Sequence, residues 1–561
     1  MRRKILILIG LMLLGLTACS IDRGAGGDHG DSGAKASKEK ANLKEYYKLS
    51  NDLFLVVTNG VVSEERAIRS NGQVYVPFSI VKSMDSRFYY NRTEEQLIIT
   101  TPESVLYYWP DSNKHTLDGN TVQDDTAMLR TFDGKLYLSV SVFSSYADVS
   151  TRVINEPQRV VMYQNGKKLP TVNTTKDTVI RLGASMQKDI VEELKAGTQI
   201  VRTGSAENGY LPVATVDGMA GFVSQMDISA ETQTVLYEKT VIYPRITTID
   251  HVHLMWHQMW ATQGAAELRA MVQNTKGINV VSPTWFDFKD TSGAITSFAN
   301  ESYVQEAHSR GMQVWALCSD FAKDVKGLDI LSNTVSRINL ENNLINEVTR
   351  VGADGINLDF EYITKDSGPH YIQFIRELYL LCRRHNLALS VDNFVPNAGK
   401  SQYQLADQAE IIDYVIFMAY DEHYKGSGAG AVASFPWVQM SVNNAIAIVP
   451  NEKIVLGIPL YNRMWMTNAA GELSLEDNGM AKHAETAKAN ATPVWDEDLK
   501  QYYCEYTKGK DKNAVKYQIW LEDVTSLEYK LNLIPEYNLA GYAGWKLGLE
   551  SSDVWPLLEK Y

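Results

Sequence analysis

The chain has 561 residues, more than one ordinary domain needs, with 45% hydrophobic and 22% charged residues, the balance of a folded globular protein. Its formal net charge is −13 and its pI about 5.4. That charge speaks against nucleic acid as a partner, because phosphate contacts need a basic footprint, and against a polybasic membrane-binding surface.

Residues 1–19 pair a basic start at Arg2, Arg3 and Lys4 with a short apolar run, the pattern of a secretory signal peptide. The end of that segment, Leu16-Thr17-Ala18-Cys19, resembles the bacterial lipobox. The resemblance implies lipidation at Cys19 and anchoring to the outer face of the cytoplasmic membrane, facing the cell wall. Residues 20–45 are rich in Gly, Asp, Lys, Ala and Ser and lack aromatic residues, so they read as a disordered tether. The remaining cysteines, Cys318, Cys382 and Cys504, cannot all pair and form no disulfide framework. No Cys or His pair has zinc spacing, so neither a metal nor a cofactor is expected.

Residues 46–170 read as short strands separated by polar turns, among them QVYVPFSIV, QLIITT, KLYLSVSVF and RVVMY. Two segments, VYVPFSIVKSM and LYLSVSVFSSY, look like copies of one strand–helix unit. The pattern resembles the copper amine oxidase N-terminal-like domain of bacterial surface proteins, although no ligand cluster for copper is visible. Residues 175–230 hold a second small β unit with Gly punctuation and a hairpin signal at Asp217-Gly218. This unit resembles a bacterial SH3-like domain; a wall-binding module and a rigid spacer both fit.

Residues 240–561 are patterned differently. Eight apolar stretches recur with helical segments between them: IDHVHLMW, INVVSPTW, MQVWALCS, GINLDFEY, LALSVDN, YVIFMAY, KIVLGIPL and LAGYAGWK. One intervening helix is marked by Ile375, Leu378, Tyr379 and Cys382 on a single stripe. The alternation predicts a (β/α)8 TIM barrel following two small β-rich domains. An open doubly wound sheet is the competing architecture, weakened by the absence of a Gly-rich phosphate turn after the first strand. Residues 464–515 read as a small inserted α+β lobe.

Residues 354–363, DGINLDFEYI, alternate with period two. Asn357, Asp359 and Glu361 share one face, and Ile356, Leu358 and Phe360 the other. In a barrel the active site lies where strands end, and acids, amides and aromatic rings gather there. Trp256 ends the first strand, Trp285 the second, Tyr420 and Asp421 the sixth, and Trp545 the eighth, with Trp520 just before the eighth. Flat rings and hydroxyl-binding polar groups in one cleft suit a sugar. Asp359 and Glu361 lie about 6.6 Å apart along one strand. A pair flanking a glycosidic bond would more naturally come from different strands, as Glu361 and Asp421 would.

DGINLDFE resembles the glycoside hydrolase family 18 signature, and SPTWF, VWAL, FMAYDEH, LGIPLYNRMW, IWLED and GYAGWKLGLE resemble flanking segments of its spore-cortex and cell-wall branch. The resemblance spans about residues 245–561. It implies a retaining, substrate-assisted glycosidase acting on β-1,4-linked N-acetylglucosamine, in peptidoglycan or in chitin. Glu361 would be the general acid and base, and Asp359 the acceptor of the acetamido N–H. Tyr420, with Asp421 beside it, would position the acetamido group, and Trp545 would floor the sugar. Trp256, Trp285 and Trp520 are further candidates for sugar stacking. The alternative of another class is a non-catalytic wall-binding lipoprotein. Asn357 is expected to donate a hydrogen bond to Asp359 and keep it ionised.

Overall fold

The computed structural model describes residues 35–247 and 249–561. The predicted signal segment, Cys19 and the first part of the predicted tether lie outside the described residues. The tether was expected to run to residue 45, but the chain is paired well before that. The Ala41 N–H donates to the Ile190 carbonyl and the Ile190 N–H to the Glu39 carbonyl, each at 2.8 Å. The strand Ile190–Leu194 lies at a sheet edge, and its unpaired backbone groups give residues 37–41 a partner.

Each of the two similar segments near the N-terminus is a strand running directly into a seven-residue helix. Gln73–Pro77 leads into Phe78–Met84, and Lys135–Ser139 into Val140–Tyr146. The two strands pair antiparallel with Leu138 opposite Val76, inside a seven-stranded sheet drawn from residues 53–164. A separate five-stranded meander fills residues 88–123. The next sheet, also of seven strands, runs from Lys168–Asn173 to Thr232–Val235. Its Asp217-Gly218 turn, with Gly218 at φ +79°, is held by Arg159, whose Nε donates to the Asp217 carbonyl at 2.6 Å.

The eight predicted barrel strands are all present. They are β1 (Val252–His257), β2 (Val280–Phe288), β3 (Gln313–Ser319), β4 (Gly355–Asp359), β5 (Ala388–Phe394), β6 (Tyr414–Met418), β7 (Ile454–Pro459) and β8 (Gly541–Trp545). All neighbours are parallel, and β8 pairs with β1 and β1 with β2, which closes the barrel. The period-two pattern of β4 sorts its residues as expected: Ile356, Leu358 and Phe360 enter the core under the helices, and Asn357 is fully buried inside. Gly355 lets β4 approach its neighbours, since a Cβ there would lie 2.8 Å from the Ala388 carbonyl. The predicted stripe Ile375, Leu378, Tyr379 and Cys382 is wholly buried on the helix Gly368–His385.

Between β7 and β8 lies the inserted lobe, a five-stranded antiparallel sheet with the helix Met480–Asn490 on one face. Its strands run from Tyr461 to Leu521, wider than the predicted 464–515. The extra residues belong to the strand Tyr461–Asn468, which follows directly on β7, and to the strand Val515–Leu521. Glu522 and Lys530, both without exposed side-chain surface, form an ion pair where the lobe rejoins the barrel.

The meander packs on the barrel helices Thr334–Val351 and Gly368–His385. Asn91 donates to the Ser332 carbonyl at 2.8 Å, Gln373 to the Thr100 hydroxyl at 2.8 Å, and Arg383 to the Pro102 carbonyl at 2.7 Å. Beneath them, fully buried Arg337 is paired with Glu377. Removing one partner of a buried ion pair leaves an uncompensated charge. Arg337→Met is therefore expected to lower stability by about 3–5 kcal/mol, read as a shift of the denaturation midpoint of the full chain.

Candidate active site

The C-terminal ends of the barrel strands open into a cleft of about 670 Å³. Asp359 lies at the end of β4. Glu361 stands two residues further on, where the strand has ended but the chain still faces the cleft. Two N–H groups fix that turn: Glu361 donates to Asp320 at 2.8 Å and Tyr362 to the other Asp320 oxygen at 3.0 Å. Asp320 follows β3 directly and is 4% exposed.

Asn357 lies one layer deeper. Its amide oxygen accepts from the Trp256 indole and the Ser282 hydroxyl, both at 3.1 Å, and its NH2 donates to Asp392 at 2.8 Å. The sequence reading had this NH2 serving Asp359, and the structure corrects it. Residues two apart on one strand point the same way at successive heights, while the residue beside Asn357 at bonding distance comes from β5. Asp359 has one carboxylate oxygen without any partner. Burial, then the charges of Asp392, Glu361 and Asp320, push its carboxyl well above the usual range. Burial thus works against the ionised form of Asp359 that the sequence reading expected.

Its neighbours are shifted the same way. Burial raises Asp392 to about 8 against the opposing hydrogen bond from Asn357. Asp320 is raised to about 6, mainly by burial, against the two backbone bonds it accepts from Glu361 and Tyr362. Burial, then Asp320 and Asp421, raise Glu361 to about 7, with Lys400 pulling the other way. A carboxyl near 7 is a proton donor and acceptor matched to neutral pH.

Tyr420 lines the cleft and is kept neutral by burial, so its hydroxyl is available to donate. Asp421, next in the chain, accepts from the Tyr461 hydroxyl at 2.6 Å and pairs with Arg463 at 3.0 Å. It lines the cleft, but with two partners it is not a free nucleophile. Trp545 is half-buried on the cleft floor. Trp256 also lines the cleft but meets Trp545 edge-on, with ring centroids 6.0 Å apart, and is 1% exposed, so it braces the floor rather than offering a face.

Two candidates lie elsewhere. Ser282 points into the barrel, so alternation puts Trp285 outside; it is 1% exposed and packs edge-on against Tyr303 at 5.3 Å. Trp520 belongs to the lobe sheet opposite Arg463 and packs tilted against Tyr503, with ring centroids 4.7 Å apart, away from the cleft lining. The cleft wall is supplied instead by Trp437, in the first turn of the helix Phe435–Ile446, and by Phe394 and Lys400. Asp320 and Asp392 were legible as polar residues closing apolar strands, whereas Trp437 and Lys400 sit beyond any strand end and carried no signal. Among the described residues no group of three His, Cys, Asp or Glu side chains is arranged to hold a metal ion.

Residues 325–550, which hold the last five barrel strands, match the family model of Glycosyl hydrolases family 18. The chain is 30% identical over 244 residues to the cortical fragment-lytic enzyme of Bacillus subtilis (strain 168), covering 42% of this chain and 56% of that protein. It thus spans little more than half the length of that relative. It is 22% identical over 313 residues to the uncharacterized glycosylase YvbX of the same organism, covering 54% of this chain and 90% of that one. The spore cortex-lytic enzyme SleL of Bacillus megaterium QM B1551 superposes with a TM-score of 0.50 at 22% identity, over 58% of this chain and 78% of that chain. At that identity the likeness is one of fold, an eight-stranded barrel.

Asn357→Asp would set a carboxylate against Asp392 in place of an amide donor. The pair would have to share a proton. The variant is expected to fold, with a melting temperature that falls further below wild type as pH rises from 5 to 8. A deficit independent of pH would mean that residues 357 and 392 are not coupled.

Proposed function

We propose that the protein hydrolyses β-1,4 bonds of an N-acetylglucosamine-containing glycan, with peptidoglycan as the substrate, by a retaining mechanism in which the substrate's acetamido group is the nucleophile. The observation that carries this reading is Glu361 with a carboxyl near 7, in the same cleft as the largely buried Asp359. The two-carboxylate scheme needs a second, ionised group across the bond. Asp421 is already engaged by Tyr461 and Arg463, and burial works against an ionised Asp359, so neither is suited to that part.

In the proposed sequence Glu361 gives its proton to the glycosidic oxygen as the bond to C1 breaks. The acetamido carbonyl oxygen of the same sugar bonds to C1 and forms an oxazolinium-like ring. The Asp359 carboxyl accepts the acetamido N–H, and the Tyr420 hydroxyl donates to the acetamido oxygen. Water then attacks C1 as the C1–O bond of that ring breaks and restores the acetamido group, Glu361 takes a proton from the water, and the two inversions retain configuration. Trp545 supports the sugar face.

Peptidoglycan is preferred over chitin because a relative matched at 30% identity is named a cortical fragment-lytic enzyme. Export and lipid anchoring at Cys19 suit that substrate and rest on residues 1–19 alone. The copper amine oxidase-like and SH3-like readings of the two small domains likewise rest on sequence pattern. A non-catalytic wall-binding protein would have no use for a carboxyl poised near neutral pH.

Glu361→Gln is expected to lower kcat by at least 10²–10⁴-fold, the share of general acid–base catalysis, while glycan binding persists. Equal release of muropeptides from purified peptidoglycan by wild type and variant would sink the enzymatic reading. The acid must be protonated, so kcat/KM should fall as pH rises through about 7. A folded-state carboxyl raised above its unfolded value of 4.5 loses stability as pH rises from that value through about 7. Glu361→Gln should therefore melt above wild type at pH 8, and the gain should vanish toward pH 4.5. A gain of the same size at both pH values would show that Glu361 is not the raised group.

A further inference from the structure

The cleft holds Asp359, Glu361, Asp392, Asp421 and Glu422, yet among the described residues lining it there is one cation, Lys400. Its ammonium lies 3.3 Å from the centroid of the Phe394 ring, which also lines the cleft. Among the described residues its ammonium makes no ion pair within 4 Å and no hydrogen bond, although it is near enough to Glu361 for the two charges to act on each other. The other nearby cations are committed: Arg463 to Asp421 and Asp477, and Lys546 to Gln258. A cation stacked on an aromatic ring is held in place at little cost in side-chain freedom and keeps its donors for a ligand. The composition of the cleft would repel an anionic glycan, but Asp359 and Asp392 are pushed toward their neutral forms by burial. What remains is a cleft of modest negative charge with one unpaired positive group beside the general acid.

We propose that Lys400 is a carboxylate-binding subsite that selects a glycan bearing an acidic substituent on a sugar at the scissile bond. The ether-linked lactyl group of muramic acid has that chemistry, and so do the carboxylates of an attached stem peptide. Chitin has neither. This inference rests on the glycosidase reading and narrows it, since it gives one residue the task of distinguishing wall polymer from chitin. Lys400 touches substrate in this account and takes no part in proton transfer.

The test compares kcat/KM on oligosaccharides of equal length. One alternates N-acetylglucosamine with muramic acid carrying a free lactyl carboxylate, one has that carboxylate converted to a simple amide, one carries a stem peptide, and one carries the same peptide with its carboxyls amidated. Wild type should favour the free lactyl form over its amide by about tenfold, as a charge-assisted hydrogen bond predicts, mainly through KM. A preference confined to the peptide-bearing pair would assign the subsite to the peptide carboxylate instead. Lys400→Met should bring the charged-to-neutral ratio toward one, and Lys400→Arg should keep most of it. Raising ionic strength from 0.05 M to about 0.5 M should shrink the ratio in wild type itself, whether or not either variant folds. Equal rates on the charged and neutral members of both pairs, or a ratio unchanged in Lys400→Met, would overturn the proposal while leaving the glycosidase reading intact. Calorimetric binding of the same pairs to Glu361→Gln reads the charge preference even if no bond is cut. Failure of wild type to cut any of them would count against the glycosidase reading alone.

Discussion

The site depends on one fully buried amide. Asn357 takes hydrogen bonds from Trp256 on β1 and Ser282 on β2 and gives one to Asp392 on β5. Three strands from different parts of the barrel are thereby joined at the layer just beneath the chemistry. A carboxylate at this point would add a further negative charge to a space already holding Asp359 and Asp392. The amide satisfies an acid as a donor and two donors as an acceptor without carrying charge. It lets Asp359, one layer up, keep an oxygen free.

Pairing separates the structural acids of this protein from the chemical ones. Glu377 has Arg337, Glu522 has Lys530, and Asp85 has Arg87, each pair nearly without solvent exposure. These pairs fix geometry at the flank of the barrel, at the root of the lobe and within the first domain. In the cleft Asp359, Glu361 and Asp392, and beside it Asp320, which holds the Glu361 and Tyr362 N–H groups, are buried or partly buried with no cation bonded to them, and all four are raised. A raised carboxyl does not mark a catalytic site by itself: Glu341 is buried beside Glu377 and is raised too, yet it lies under the docked meander. What distinguishes the cleft acids is that they share a cavity with aromatic walls.

Much of this was legible because alternation and strand ends carry the information. The eight barrel strands, the inward face of β4, and Glu361, Asp359, Tyr420 and Trp545 at the mouth follow from local pattern alone. Trp285 was misplaced because its position at a strand end was weighed without the parity set by Ser282 three residues earlier. Trp520 was misplaced because the strand carrying it folds back into the lobe sheet instead of feeding β8. The partner of Asn357 was misassigned because sequence neighbours on β4 were considered and the neighbouring strand β5 was not. Lys400 and Trp437 had no local signal at all, since loop and helix residues reach the cleft only through the tertiary path of the chain.

Their late appearance has a physical basis. Strand-end residues occupy positions set by barrel closure, so the chemistry common to acetamido sugars can be held there with little tolerance for error. Loop residues such as Lys400 are free to differ without disturbing that layer. The cleft therefore divides into an inner part, where Asp359, Glu361 and Tyr420 stand above the buried Asn357, and an outer part lined by Phe394, Lys400 and Trp437; in the function proposed above, the inner part would serve the acetamido group and the bond, and the outer part whatever else the glycan carries. Substituents that distinguish one N-acetylglucosamine polymer from another project from the sugar ring, away from the bond being broken. The outer part is where such a difference can be read without changing the mechanism.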